Sequence, residues 1–229
     1  MRILGIDTAT MLASIGIIED EKVLVEMKFD VKITYSEVLL YFVDYLLRSS
    51  NLKTTDLDGF SVSIGPGSFT GLRIGLSTVK GLSFSTGKPV VAVPTLDALA
   101  SHALFSFYPV VPLIDAKKNQ VYSAVYDTKN GQIKRKSPYF AISLEDLVRK
   151  LSGRVLFSGP GVFVFRKRLE KLMKKKKAYY LLGETALPSG VAVAKLGFEK
   201  LKKGKIEDLS SLVPLYVRES EAELKFKND

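Results

Sequence analysis

Two short patterns occur twice in this chain, in the same order. Ile6-Asp7-Thr8-Ala9 is echoed by Ile114-Asp115-Ala116, each closing an apolar strand ahead of a strand hairpin. Gly65-Pro66-Gly67-Ser68-Phe69 is echoed by Gly159-Pro160-Gly161-Val162-Phe163, each lying between an apolar strand and a helix. One echo is within the reach of chance, but two in order point to a duplicated supersecondary unit and restrict the chain to folds built from two equivalent halves. The Asp landmarks lie 108 residues apart and the Gly landmarks 94, so the second copy is expected to be the shorter between them.

The local patterns fit that expectation. Strands over Arg2 to Asp7, Ala13 to Ile18 and Lys22 to Phe29 read as an antiparallel meander. Thr34 and Glu37 form a capping box ahead of a helix to about Ser49. A strand over Gly59 to Ile64, a helix over Thr70 to Ser85, a strand over Val90 to Val93 and a helix from Thr95 to Ala103 follow, and this alternation predicts a partly parallel sheet. The second half repeats the scheme, with strands at Val110 to Asp115, Val121 to Tyr126, Gln132 to Pro138 and Arg154 to Phe157. Its helices are expected after Ser143, over Phe163 to Lys174 and over Pro188 to Lys202. The fold class is therefore α/β, with an internally duplicated β-meander plus βαβα arrangement. The expected domains are 1–104 and 105–229, with the extended tail around Pro214 to Arg218 packing back on the first.

Composition removes several chemistries. The 229 residues include no Cys and one His, so there is no disulfide, thiolate or iron–sulfur chemistry, and His102 alone supplies no two-histidine metal site. No signal peptide is read at the start, and basic residues interrupt every apolar stretch before the roughly 20 residues a membrane span needs. A cytoplasmic protein without membrane partners is expected. The net charge of +10 is uneven: residues 1–104 carry 9 basic and 11 acidic side chains, the remainder 25 and 13. The densest basic run holds Arg166, Lys167, Arg168, Lys171 and Lys174 to Lys177, with a second cluster at Lys200, Lys202, Lys203 and Lys205. Such a run reads either as a solvated helix face or as a phosphate-attracting RNA patch, with Arg166, Lys167, Lys171, Lys174, Lys175, Lys176 and Lys177 as its candidate residues.

The stretch from Gly65 to Gly75 is a strand-to-helix turn. It lacks the Gly-Lys-Ser/Thr of a phosphate-binding P-loop, the glycine spacing of a dinucleotide fingerprint and the flanking glycines of a nucleophile elbow. Two readings stand: anion binding by backbone N–H groups, or glycines on one helix face that allow close packing. Asp7, Gly65, Gly67, Ser68 and Asp115 are the candidate nucleotide-site residues, with Asp115 read mainly as a hairpin residue. From Val38 to Leu47, nine of ten residues are aliphatic or aromatic and only Asp44 interrupts them. That all-round apolarity means either deep burial or a partner surface, and the partner surface is favoured.

These residues resemble the bacterial TsaB (YeaZ) family, a glycoprotease-like (M22 peptidase homologue) branch of the two-lobed actin, Hsp70 and sugar-kinase (ASKHA) superfamily. The resemblance rests on Ile3 to Ala9, on Gly65 to Gly75, on Leu113 to Ala116 with Val121-Tyr122, and on Pro214 to Arg218. It implies work in making N6-threonylcarbamoyladenosine at tRNA position 37, as a non-catalytic partner of the transferase TsaD, alongside the ATPase TsaE. TsaD holds its metal through a His-x-x-x-His motif, and here Thr95 and Leu99 stand at that spacing. The resemblance further implies a homodimer in the absence of TsaD, tRNA contact only through the complex, and ATP or ADP only there. It places the partner interface on the first-lobe helices, mapped here to Tyr35, Val38, Leu39, Phe42, Tyr45, Leu46, Gly71, Leu72, Gly75 and Thr78. The enzymatic alternative is a small ATP-dependent phosphotransferase or weak ATPase, and a further alternative is a direct RNA-binding module; protease activity is not expected.

Overall fold

The computed structural model describes residues 1–30, 35–173 and 177–218, the side chains of 35–37 excepted. The expected capping box of Thr34 and Glu37 lies outside the described residues, as do Lys174, Lys175 and Lys176. The strands are β1 (Arg2–Asp7), β2 (Leu12–Glu19), β3 (Lys22–Asp30), β4 (Gly59–Gly65), β5 (Val90–Pro94), β6 (Val110–Asp115), β7 (Gln120–Ser123), β8 (Tyr126–Asp127), β9 (Lys134–Arg135), β10 (Phe140–Ser143), β11 (Val155–Ser158) and β12 (Ala178–Tyr180). The helices are α1 (Tyr35–Ser49), α2 (Phe69–Thr86), α3 (Thr95–Ala100), α4 (Leu144–Lys150), α5 (Gly161–Leu172) and α6 (Gly190–Lys202).

The duplication is visible in the strand orders. One sheet runs β3-β2-β1-β4-β5 and the main path of the other β10-β7-β6-β11-β12. In each, an antiparallel meander donates its first strand to a parallel neighbour, β4 on β1 and β11 on β6. The two Gly-Pro-Gly turns fill the same place, between β4 and α2 and between β11 and α5. The second copy departs where a continuous strand over Val121 to Tyr126 is expected. There the Val125 N–H donates to the Ser137 hydroxyl and the Lys136 N–H to the Val125 carbonyl. The chain thus leaves the meander through the short β8–β9 ribbon and returns as β10, whose Ile142 pairs with Val121. The meander's third strand is therefore β10, and the expected strand over Gln132 to Pro138 reduces to Lys134–Arg135.

The packing divides the chain at Ala98/Leu99 rather than after residue 104, and Pro188–Pro214 belongs with the first unit. The cause is α6. One face of the first sheet carries Ile3 and Ile18, and Val191, Ala194 and Phe198 of α6 close over them. The helix approaches so closely that a Cβ at Gly190 would overlap the backbone of Ile15 and Gly16, and one at Gly5 would overlap the Gly190 carbonyl. Its first turn is pinned by Glu26, whose Oε1 accepts from the Ser14 hydroxyl (3.0 Å), the Ser189 hydroxyl (2.6 Å) and the Val191 N–H (3.2 Å). A carboxylate at a helix N-terminus also meets the positive end of the helix dipole. Glu26→Ala is expected to cost about 1–2 kcal/mol and Glu26→Gln less than half of that, read from urea unfolding midpoints.

The opposite face of the first sheet holds its main core. Leu4, Ile6, Ile15, Ile17, Phe60 and Val62 pack there against Leu39, Val43, Leu46 and Leu47 of α1 and Leu76 and Val79 of α2. In the second unit Val111, Leu113, Val121, Val155 and Phe157 of the sheet meet Leu144, Leu147 and Val148 of α4 and Val162 and Leu169 of α5. Redrawing the boundary redistributes the charge. The first unit carries 14 basic and 14 acidic residues, and the second 20 and 10, so the whole +10 belongs to the second. The cluster at Lys200 to Lys205 lies with the neutral unit, where Lys200 Nζ donates to the Ala92 carbonyl at 2.7 Å and burial lowers its pKa.

Candidate functional site

The end of β1 and the Gly65–Gly75 turn are built against each other. The Ser68 N–H donates to the Ala9 carbonyl at 2.7 Å, and the Thr8 hydroxyl to the Gly71 carbonyl at 2.8 Å. A Cβ at Gly67 would overlap Ala9, and a Cβ at Gly71 or Gly75 would overlap Thr8. Ser68 caps α2 by accepting from the Gly71 N–H, and the Gly65 N–H donates to Thr95 Oγ1 at 3.1 Å. The N–H groups of Gly65, Ser68 and Gly71 are thus taken up by Thr95, Ala9 and Ser68, and Gly67 and Gly71 lie against the backbone of Ala9 and Thr8. Of the two readings of this stretch, the geometry is that of close packing. It does not fit a phosphate cradle, so no nucleotide chemistry is derived from Gly65, Gly67 or Ser68.

Asp7 sits directly beneath, fully buried. Its Oδ1 accepts from the Ala9 N–H and the Ser63 hydroxyl, both at 2.9 Å, while Oδ2 has no hydrogen-bond partner. Desolvation raises its pKa from 3.8 to about 6, against the lowering effect of those two hydrogen bonds. The folded chain therefore holds a proton that the unfolded chain has released between pH 4 and 6. Its favourable contribution is complete below the unfolded value and lost as pH rises through about 6, on the order of 3 kcal/mol in all. Asp7→Asn does not ionise, so its stability relative to the parent chain is expected to rise by that amount between pH 4 and pH 8, in paired denaturant titrations. Asp115, the duplicate of Asp7, is partly exposed, accepts from the Lys117 N–H at 2.8 Å and pairs with Lys117 Nζ at 3.1 Å. It closes a hairpin of the second unit.

The first-lobe helices place the expected interface residues on both sides. Leu39, Leu46, Gly71, Leu72 and Gly75 point into the unit and are buried, which corrects their assignment to a partner surface. Gly71 and Gly75 are small because of Thr8 and not because of another helix. Val38, Phe42 and Thr78 are partly buried, and Phe42 lies 4.4 Å from the Phe29 ring and 5.6 Å from Tyr41. The Tyr35 side chain lies outside the described residues. What α1 presents outward is Leu40, Tyr41 and Tyr45, 54 %, 65 % and 52 % exposed, beside an Asp44–Arg48 pair. On α2 the outward positions include Ser77, Gly81 and Phe84, the last 89 % exposed, and a Cβ at Gly81 would meet nothing within 4 Å. Leu40, Tyr41 and Phe84 lie within the helices assigned to the interface without being singled out by the sequence reading, whereas Gly81 counts there among the packing glycines. A helical phase anchored on polar Asp44 and Arg48 identifies Leu40 and Tyr41 as their neighbours on the outer face.

In the basic segment, Arg166 pairs with Glu170 at 2.9 Å, and Arg168 ties α5 to α4 through Glu145 at 2.7 Å. Lys167, Lys171 and Lys177 are exposed. His102 Nδ1 lies 2.9 Å from the Thr185 carbonyl, a contact within the second unit. Among the described residues no helix is long and apolar enough to cross a membrane.

Comparison with known proteins places this geometry. A family model described as TsaD, tRNA N6-adenosine threonylcarbamoyltransferase, matches residues 30–226. The tRNA threonylcarbamoyladenosine biosynthesis protein TsaB of Bacillus subtilis is 32 % identical over 231 positions, covering 99 % of this chain and 98 % of its own length. The Escherichia coli protein of the same name is 28 % identical over 97 % of this chain and 96 % of its own. Among solved structures, YeaZ from Pseudomonas aeruginosa superposes with a TM-score of 0.80 at 23 % identity, covering 94 % of this chain and 99 % of that one. A ROK hexokinase from Thermus thermophilus superposes with a TM-score of 0.53 at 12 % identity, covering 89 % and 100 %, and shares the sugar-kinase type of fold. With a full-length relative at 32 % identity and a family match across most of its residues, the chain belongs to the TsaB (YeaZ) family, within the wider group of TsaD-like proteins.

Proposed function

We propose that this chain serves the biosynthesis of N6-threonylcarbamoyladenosine in tRNA as a non-catalytic partner of a TsaD transferase, docking through the outer face of α1 and α2. The observation that carries the reading is the exposed row of Leu40, Tyr41 and Tyr45 on a helix whose other side is buried in the core. Large aromatic side chains with an apolar body and a polar tip are the usual anchors of protein interfaces. Gly81 and Ser77, four residues apart on the outer side of α2, leave room for another helix to come close.

The residues at the transferase's ligand spacing support the same division of labour. Thr95 is buried and its hydroxyl accepts from Gly65, and Leu99 is a buried aliphatic; neither supplies an imidazole. Asp7 is enclosed and the glycine turn is occupied by its own backbone contacts, so the phosphotransferase alternative gains no support. The same outer face serves a homodimer when TsaD is absent, and ATP or ADP and the TsaE ATPase enter only with the assembled complex.

Reconstitution tests this reading. Unmodified tRNA is incubated with the TsaD paralogue, TsaE and threonylcarbamoyl-adenylate, with or without this chain. Omission is expected to lower product formation by more than about tenfold, and this chain alone is expected to form none. Full modification in its absence, or modification by this chain alone, overturns the proposal.

A further inference from the structure

In the second unit the parallel strands β6, β11 and β12 begin side by side, and their amino-terminal ends carry a distinctive set of side chains. Ala178 and Tyr180 of β12 turn towards the α4–α5 core, as do Val155 and Phe157 of β11. By the two-residue period of a strand, Lys177, Tyr179 and Arg154 fall on the opposite face, and Tyr108, two residues before Val110, joins them. The register aligns Tyr179 with Leu156 and Leu156 with Val110, which brings Tyr108, Arg154 and Lys177 to the rung just before them.

The two tyrosine rings lie parallel, 4.8 Å apart with an interplanar angle of 10°. Arg154 Nη1 donates to the Tyr108 hydroxyl at 3.4 Å, and Tyr179 keeps 39 % of its surface exposed on the free edge strand. Three other arginines of the unit are spent on carboxylates, Arg149 on Asp146, Arg166 on Glu170 and Arg168 on Glu145, while Arg135 lies over the Tyr139 ring and Arg218 donates to Gln120. Among the described residues, neither Arg154 nor Lys177 has a carboxylate partner. The unit around them carries the protein's entire net charge of +10.

From this juxtaposition we propose that the Tyr108–Tyr179 stack, flanked by Arg154 and Lys177, is a contact site for single-stranded RNA, with a base stacking on the outer face of Tyr179 and phosphates meeting the two cations. A flat ring pair extended by one more π-face accepts any base, and cations with no carboxylate partner among the described residues suit a sugar-phosphate chain. An acidic polypeptide satisfies the charge but leaves the ring stack unused. The site lies away from the basic face of α5 and does not depend on α1, so it stands or falls apart from the docking of TsaD.

The test is fluorescence anisotropy of the full chain with a labelled oligouridylate about a dozen nucleotides long, between about 50 and 200 mM salt. Tyr179→Ala is expected to weaken binding about tenfold at every salt concentration while Tyr179→Phe preserves it. Arg154→Ser with Lys177→Ser, both at exposed positions, is expected to lower the slope of log K against log salt by about 1.4. Thermal melting of each variant shows that it is folded, and the double substitution reports on the site if Tyr179→Ala does not fold. No binding by the parent chain at low salt, Tyr179→Ala or the double variant binding like the parent, or equally tight binding of polyglutamate overturns the proposal.

Discussion

Gly71→Val is expected to be the most damaging single substitution in the first unit, costing about 4 kcal/mol or preventing accumulation of folded protein. A Cβ at Gly71 would overlap the Thr8 carbonyl, a backbone atom in the strand-end segment after β1 with no rotamer to yield. Relief requires α2 to lift from the strand end, which breaks the Thr8 hydroxyl to Gly71 carbonyl bond and the Ser68 N–H to Ala9 carbonyl bond. Overpacking of this kind costs about 1–3 kcal/mol, and each buried polar group left without a partner adds about 1–3 more. Gly81→Ala on the outer side of the same helix meets nothing and is expected to stabilise by about 0.5–1 kcal/mol, because alanine has the higher helix propensity. Urea denaturation of both variants against the parent measures the contrast. Equal effects of the two would mean that the glycine-rich stretch serves something other than packing on β1.

Much of this architecture is legible in the sequence, because the duplicated landmarks carry their own local chemistry. Asp7 and Asp115 each accept a backbone N–H two residues on, and Gly65 and Gly159 each adopt positive φ where a strand turns into a helix. What sequence does not reveal is which distant surface a segment meets. The apolar residues of α6 read as an amphipathic helix, but its place on β1 and β2 depends on Gly5 and Gly16, more than 170 residues earlier. Likewise Leu39 and Leu40 are the same residue type, and only packing shows that one is buried and the other half exposed. The pair Gly71 and Gly75 signals a close approach, and the spacing is silent on whether the neighbour is Thr8 or another protein. The edge strand β12 is three residues long and follows a lysine run, so its pattern is too short to register.

Replacing Tyr41 and Tyr45 together by Asp is expected to weaken association with TsaD by at least about 100-fold while leaving the fold intact. Both rings are more than half exposed and stand one helical turn apart on α1, so their removal opens no cavity in the core. Each aromatic anchor in a protein interface is commonly worth about 2 kcal/mol or more, and a carboxylate in its place must be desolvated without a partner. Substitution at Leu39 or Leu46 does not make this test, since both lie in the core and their loss unfolds the face along with everything behind it. On the proposed shared surface, a homodimer is expected to weaken in the same variant.

The central claim, that this chain acts by docking through the outer face of α1, is tested most directly by calorimetric titration of separately purified TsaD into the parent chain and into the Tyr41→Asp, Tyr45→Asp variant, with matched melting curves. The account predicts a saturable complex for the parent and a loss of at least about 100-fold in affinity for the variant. Equal affinity of the two proteins for TsaD would contradict it.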